Sequence, residues 1–435
     1  MSVTGTTGPS GAASLRAHSH VRLIAACTIG NALEFYDFVV FSFFARTIGA
    51  LFFPAQDPTA QLLLAFATYG VGFFLRPLGG LVLGAYADRK GRKTATLLTL
   101  ALMALGTCMI GLAPAHATSG LTGASIVLLG RLLQGFSAGG EVGASTTLLA
   151  EHAPSHRRGF FGSWQLASQG LGVTAAAVVA FAITTMLPPA DVTAWGWRLA
   201  FLLGALIVPV GLWLRVALEE SHANEADMRT RSVSSLRIAV KQFPGRILAG
   251  VGLVVGGTAA NAIIVLYMAT YAVTQLHLPP QAGLLAGIAG GLANVIVAPL
   301  GGALSDRVGR KPVILISYLL LVVAIHPAFL ALNASPSVNT LLWIIGGLSA
   351  LNTLGAATVI LTLPEIFPVE ARATGMSLVY ALGVAIFGGF GQFIVTWLIQ
   401  TTGNPLAAAW YVMACAAATV IALAAIPEMR GHKLV

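Results

Sequence analysis

The sequence predicts an all-α polytopic membrane protein with twelve transmembrane helices built as two six-helix, pseudo-symmetric halves. Three observations carry that expectation. Hydrophobic residues make up 57% of the 435 and charged residues only 9%, where a soluble domain carries about 25% charged residues; such a surface suits lipid better than water. Apolar runs long enough to cross about 30 Å of hydrocarbon follow one another at short intervals. Two charged motifs each occur twice, about half a chain apart.

The apolar runs lie at about 22–50, 60–86, 94–114, 121–150, 159–187, 197–217, 246–275, 281–304, 312–332, 338–364, 373–401 and 406–427. They are continuous rather than alternating, which favours helices over strands. Several exceed 20 residues, a length that tilt or turns beyond the membrane accommodate. Gly135, Gly139 and Gly143 recur at helical spacing in the fourth run, where small residues let helices approach closely. This divides the chain into a tail at 1–20, an N-terminal half at 21–217, a central loop at 218–245, a C-terminal half at 246–427 and a tail at 428–435. The first 20 residues lack the apolar core of a cleavable signal peptide. Cys27, Cys108 and Cys415 sit far apart in apolar runs and read as small buried hydrophobes, neither a disulfide framework nor a metal site.

The net charge of +9 raises the possibility of a nucleic-acid partner, but its distribution excludes that reading. With the N-terminus inside, all but four of the 24 Lys and Arg fall in the two tails and in loops on the same side. The positive-inside rule then puts both termini in the cytoplasm and requires an even number of spans. The exceptions are Arg46, Arg76, Arg131 and Arg198. Arg46 and Arg198 lie near outer helix ends, where a long side chain can snorkel. The nucleotide and zinc-protease motifs G-x-x-x-x-G-K-[ST] and H-E-x-x-H do not occur. The expectation is therefore no enzyme, no cofactor and no metal.

The repeat is specific. Gly84-Ala-Tyr-Ala-Asp88-Arg89-Lys-Gly91-Arg92-Lys93 returns as Gly302-Ala-Leu-Ser-Asp306-Arg307-Val-Gly309-Arg310-Lys311, and Glu151-x-x-Pro154-x-x-x-Arg158 returns as Glu365-x-x-Pro368-x-x-x-Arg372. Two motifs repeated at nearly one offset point to duplicated halves, one of the known architectures of secondary transporters. In each long motif the Asp can accept from helix N-terminal amides and from basic side chains of its own turn, and Gly91 and Gly309 permit the turn.

Five ionisable residues sit deep inside the runs, all in the N-terminal half: Glu34, Asp37, Arg76, Arg131 and Glu141. Each costs about 2.5–3.5 kcal/mol at the bilayer centre, so such residues are rare and usually functional. Asn31, Glu34 and Asp37 share one helix face at i, i+3, i+6. They read either as a proton-binding stripe, because a carboxyl taken out of water holds its proton more readily, or as internal salt-bridge partners. Glu141 is a further candidate for either role. Arg131 is either a bidentate clamp for a substrate carboxylate or a counter-charge to an acid; Arg76 follows the same logic. Gln134 neighbours Arg131 by one turn. Gln165 and Gln169 at i, i+4 can bind substrate oxygens or pin helices together. Tyr267 and Asn352 are candidates for the far wall of a central site.

These motifs resemble a known family. The duplicated G-x-x-x-D-R-x-G-R-K loop looks like the signature of the major facilitator superfamily, and Arg131-Leu-Leu-Gln134-Gly135 resembles its R-x-x-Q-G motif, which is associated with proton-coupled members. Gly30-Asn31-Ala-Leu-Glu34-Phe-Tyr-Asp37-Phe, Arg76-Pro77-Leu-Gly79-Gly80, Trp195-Gly196-Trp197-Arg198 and Ala385-Ile386-Phe387-Gly388-Gly389 are similar to the metabolite:proton symporters. Within that family, Ser163-Trp164-Gln165-Leu-Ala-Ser168-Gln169 looks most like the citrate and tricarboxylate symporters. Carriers of α-ketoglutarate, shikimate and betaine share much of the framework. The resemblance implies an inner-membrane symporter working by alternating access. Its expected partners are a small organic anion, protons and the lipid bilayer, with the monomer as the working unit. It also implies that Asp88, Arg89, Arg92 and Lys93, and their counterparts Asp306, Arg307, Arg310 and Lys311, brace the outward-open state from the cytoplasmic side.

Overall fold

In the computed structural model the protein is almost wholly helical; residues 28–90, 92–140, 153–154, 156–205, 242–368 and 372–428 are described. The N-terminal half contains α1 (Thr28–Phe43) and α2 (Ala45–Phe52), which form one run bent by 62°. It continues with α3 (Pro58–Phe74), α4 (Arg76–Lys90), α5 (Arg92–Leu112), α6 (Leu121–Ser137), α7 (Arg158–Met186) and α8 (Trp197–Ala205). The C-terminal half contains α9 (Pro244–Asn261), α10 (Met268–Thr274), α11 (Pro280–Val308), α12 (Arg310–Ala334), α13 (Val338–Glu365), α14 (Arg372–Gly383), α15 (Gly391–Thr402) and α16 (Ala407–Ala424). Each of the twelve apolar runs carries helix. Among the described residues, eight continuous helices and the bent α1–α2 pair are long and apolar enough to cross a membrane, and 97–112 and 121–137 add two shorter apolar helices.

Local chemistry sets the helix ends. Asp57 caps α3, accepting from Thr59 N at 3.1 Å and Ala60 N at 3.2 Å, with Pro58 in the first turn, where its missing N–H costs nothing. Ser337 caps α13 through Thr340 N. Gly309 adopts φ +115° between α11 and α12, a conformation that side chains rarely take. Two π-helical stretches, Ala262–Leu266 after α9 and Val384–Gly389 after α14, each widen a helix locally. Such insertions re-aim side chains and are frequent at functional sites.

The halves meet along α7 and α11, which run antiparallel in one register. A Cβ on Gly159 would lie 2.2 Å from the Gly302 carbonyl oxygen, and one on Gly170 would lie 2.7 Å from that of Gly291. Toward the other end of the pair Gln281 Nε2 donates to Thr184 O at 2.9 Å. Further contacts between halves join α1 to α15 through Ser42 Oγ, which donates to Gln392 Oε1 at 2.8 Å, and α3 to the stretch after α9 through the Phe66 and Tyr267 rings, 5.8 Å apart. Within the N-terminal half, Gly135 sits against Gly72, and Gly139 against the Arg76 carbonyl, at separations that exclude a Cβ. This is the close approach expected of that glycine series; Gly143 lies outside the described residues.

Arg198, near a helix end, has defined partners: its Nη1 donates to Gly111 O at 2.9 Å and Ala113 O at 2.7 Å, satisfying carbonyls at the end of α5. A cation at a helix C-terminus is favoured both by those free acceptors and by the helix dipole.

Candidate functional site: a buried charge cluster beside a central cavity

α1, α4, α5 and α6 bring together four of the five deep ionisable residues. Arg131 Nη1 donates to Gln134 Oε1 at 2.8 Å, Gln134 Nε2 donates to Thr107 Oγ1 at 2.8 Å, and Thr107 Oγ1 donates to Asp37 Oδ2 at 2.6 Å. An unbroken hydrogen-bond chain thus links guanidinium to carboxylate without direct contact. Glu34 faces a different partner, its Oε1 lying 4.0 Å from Arg76 Nη2. All six side chains are at most 6% exposed. Gly204 of α8 makes room for the acid: a Cβ there would fall 2.0 Å from Asp37 Oδ1.

Aromatic rings offset part of the cost of these charges. The Arg131 guanidinium carbon lies 4.8, 4.7 and 4.8 Å from the centroids of Phe38, Phe41 and Tyr69; that of Arg76 lies 4.5 and 4.3 Å from Phe38 and Phe73. Each contact contributes about 0.5–2 kcal/mol. The two arginines therefore share Phe38, and with both acids ionised the cluster is electrically neutral.

Between the halves lies a cavity that leaves about 80 Å³ for the centres of water molecules, room for roughly half a dozen of them. Its N-terminal wall includes Phe35, Tyr69, Phe73 and Gln169; its C-terminal wall includes Asn261, Asn294, Tyr318, Asn352, Thr353 and Tyr380. The π-helical stretches contribute Ala262, Leu266, Val384 and Gly388. None of the described side chains that line it is charged. Tyr69 and Phe73 are at once cavity wall and cation–π partners, so a single aromatic layer separates the cavity from the arginines. Gln169 Nε2 donates across the halves to Tyr380 Oη at 3.2 Å.

At one end of the α7–α11 seam, Asp306 accepts from Gly159 N at 2.8 Å and from Phe160 N at 3.0 Å, so a C-terminal-half carboxylate caps an N-terminal-half helix. Arg310 Nη1 donates to Asp306 Oδ1 at 3.0 Å, and Arg310 Nη2 to Glu365 Oε1 at 3.2 Å. Glu428 accepts from the amides of Arg310 and Lys311 at the start of α12. Arg307 is exposed.

One protein family, described as sugar (and other) transporter, matches the chain over residues 23–237 and again over 222–435. The chain belongs to the sugar (and other) transporter family. It is therefore a membrane transporter and not an enzyme. Relatives of this transporter include a citrate-proton symporter of Klebsiella pneumoniae, 40% identical over 89% of this chain and 87% of that protein, and one of Salmonella typhi, 37% identical over 94% of each. An alpha-ketoglutarate permease of Escherichia coli is 33% identical over 89% of both chains. Its fold is that of the crystal structure of a D-xylose-proton symporter, with a TM-score of 0.76, 19% identity, and coverage of 95% of this chain and 99% of that one. That likeness carries the major facilitator architecture of twelve helices.

In this transporter the residues singled out from sequence divide into three groups. Glu34, Asp37, Arg76, Arg131 and Gln134 form the cluster, off the cavity surface. Gln169 and Asn352 line the cavity. Asn31, Gln165 and Tyr267 line neither: Asn31 Nδ2 donates to Ser168 Oγ at 2.6 Å and to Gln165 O, pinning α1 to α7, while the Tyr267 hydroxyl accepts from Thr396 at 3.1 Å. Glu141 and Gly91 lie outside the described residues, as do the side chains of Asp88, Arg89, Arg92 and Lys93. Sequence reading missed Thr107, Phe38, Gly204 and Tyr318. Phe38 had a signal, since it directly follows Asp37; a threonine or glycine in an apolar run has none.

Proposed function

We propose that the protein is a proton-coupled symporter that imports citrate or a related tricarboxylate across the inner membrane by alternating access, with both termini in the cytoplasm. The observation that carries this reading is the buried Asp37–Thr107–Gln134–Arg131 chain, set behind the wall of a central cavity. The two citrate-proton symporter relatives supply the substrate class.

The chain accommodates both protonation states of Asp37. With the carboxylate charged, the Thr107 hydroxyl donates to it. With a proton on Asp37, the acid donates to Thr107 Oγ1, and that hydroxyl turns to Met103 O, 3.0 Å away. Protonation also leaves the cluster with one uncompensated positive charge. That charge favours a substrate carboxylate at the aromatic layer over Arg76 and Arg131, so proton and anion load together. Coupling has an energetic purpose: a trianion entering against 100 mV inside-negative costs roughly 7 kcal/mol, which co-transported protons cancel. The Asp306–Gly159 contact, on the cytoplasmic side in this orientation, holds the halves together there and must break for release inward.

A second reading has one observation in its favour. Phe35, Tyr69, Phe73 and Tyr380 along the cavity suit a quaternary ammonium, and a proline/betaine transporter of Escherichia coli is 33% identical over 95% of this chain. Uptake of labelled citrate, α-ketoglutarate and glycine betaine into proteoliposomes under an acid-outside gradient separates the readings. Citrate should accumulate and a protonophore should abolish it; accumulation of betaine without citrate would overturn the proposal.

A further inference from the structure

The C-terminal wall of the cavity holds two buried polar atoms that no protein group satisfies, and both belong to side chains that meet at one residue. Asn352 Nδ2 donates to Gly257 O at 3.2 Å. Only the amide nitrogen can face a carbonyl, so the bond fixes the amide orientation and leaves Oδ1 as an unsatisfied acceptor. Tyr318 is fully buried, and its hydroxyl has no hydrogen-bond partner. That hydroxyl is packed against the same glycine, where a Cβ would lie 2.6 Å from it. Both side chains line the cavity. A buried polar atom without a partner is costly, and it marks a place where something else supplies the bond.

The neighbouring polar groups are already engaged. Asn294 accepts from the Thr353 hydroxyl and donates to Asn261 Oδ1 at 3.3 Å. What remains at Gly257 is an acceptor, Asn352 Oδ1, beside a hydroxyl that can donate. A carboxylate has no hydrogen to give Asn352 and would set oxygen against oxygen. A group that carries its own O–H satisfies both atoms: it donates to Asn352 Oδ1 and accepts from Tyr318 Oη. We infer that Tyr318 and Asn352 form a neutral subsite that reads an O–H group of the substrate, opposite the anionic end held toward the N-terminal half.

This rests on the tricarboxylate reading. Two groups of such a substrate carry an O–H: the hydroxyl of a hydroxy acid and a carboxyl that keeps its proton. The test compares citrate with tricarballylate, the same tricarboxylate without its hydroxyl, in wild type, Tyr318→Phe and Asn352→Ala reconstituted in proteoliposomes. Tyr318→Phe removes one oxygen and little volume, so insertion should be preserved. If the hydroxyl is read, wild type prefers citrate about tenfold in KM, the scale of a neutral hydrogen-bond pair, and Tyr318→Phe erases the preference by raising the citrate KM alone. If a protonated carboxyl is read, wild type handles both alike and Tyr318→Phe raises both KM values by a similar factor. Asn352→Ala should follow the same pattern, a selectivity change that a purely structural role would not produce. Unchanged KM values for both substrates in both variants, with protein present in the vesicles, would overturn the inference while leaving citrate transport intact. Absence of tricarboxylate uptake in wild type would remove the functional reading and this subsite with it.

Discussion

The two halves share a scaffold and differ in what they bury. The N-terminal half holds Glu34, Asp37, Arg76 and Arg131 within aromatic rings and a hydrogen-bond chain. The facing wall of the C-terminal half is neutral, built from Asn261, Asn294, Tyr318, Asn352 and Thr353, while the Asp306–Arg310 and Arg310–Glu365 ion pairs lie away from it, at the end of the α7–α11 seam. On the proposed function the halves divide the labour: one stores and exchanges charge, where each ion needs a dedicated partner, and the other offers neutral hydrogen bonds that shape selectivity without perturbing the charge balance.

The comparison can be broken most directly at Asp37. Asp37→Asn should abolish proton-driven uphill accumulation, a loss of at least about a hundredfold, while counterflow of labelled substrate persists, because exchange needs no net proton movement. Should Asp37→Asn still concentrate substrate and Glu34→Gln fail, the proton site belongs to the Arg76 pair instead. Arg131→Lys keeps the charge but loses the planar fork and its stacking on three rings; the expected rise in substrate KM is roughly ten- to a hundredfold, read from initial uptake rates. In the other half, Asp306→Asn weakens charge-assisted bonds worth about 1.5–3 kcal/mol each. It should shift the halves toward the inward-open state by about tenfold or more, measured as thiol labelling of a cysteine introduced beside the α7–α11 seam. Smallest is Ser42→Ala, which removes one neutral bond to Gln392. A two- to tenfold shift toward the outward-open state is expected from the same labelling assay at the opposite end, and no shift there would show that this contact does not hold the halves.

Much of the site was legible in one dimension. An ionisable residue in an apolar run is conspicuous because lipid makes it costly, so Glu34, Asp37, Arg76 and Arg131 stand out with no knowledge of the fold. The duplicated loops likewise pointed to Asp306 as an acceptor for helix N-terminal amides, which it is, and Gly309 takes the positive φ that its motif implied. The spacing of Asn31, Glu34 and Asp37 placed them together on α1, but it could not show that they turn to three different neighbours: α7, α4 and α5.

The sequence by itself determined the solvent of this protein, its helix count, its twofold repeat and the half that carries charge deep within its apolar runs. These follow from composition and periodicity, and both are properties of the chain. Tertiary structure decided how the charges are partnered, and that Phe38 serves two arginines at once. It also decided that Tyr318 and Asn352 meet at Gly257. A tyrosine or asparagine in an apolar run looks the same whether its polar atom is satisfied by a neighbouring helix or left without a partner; only the packing of α9, α12 and α13 distinguishes the two, because a hydrogen bond depends on distances between segments remote in sequence.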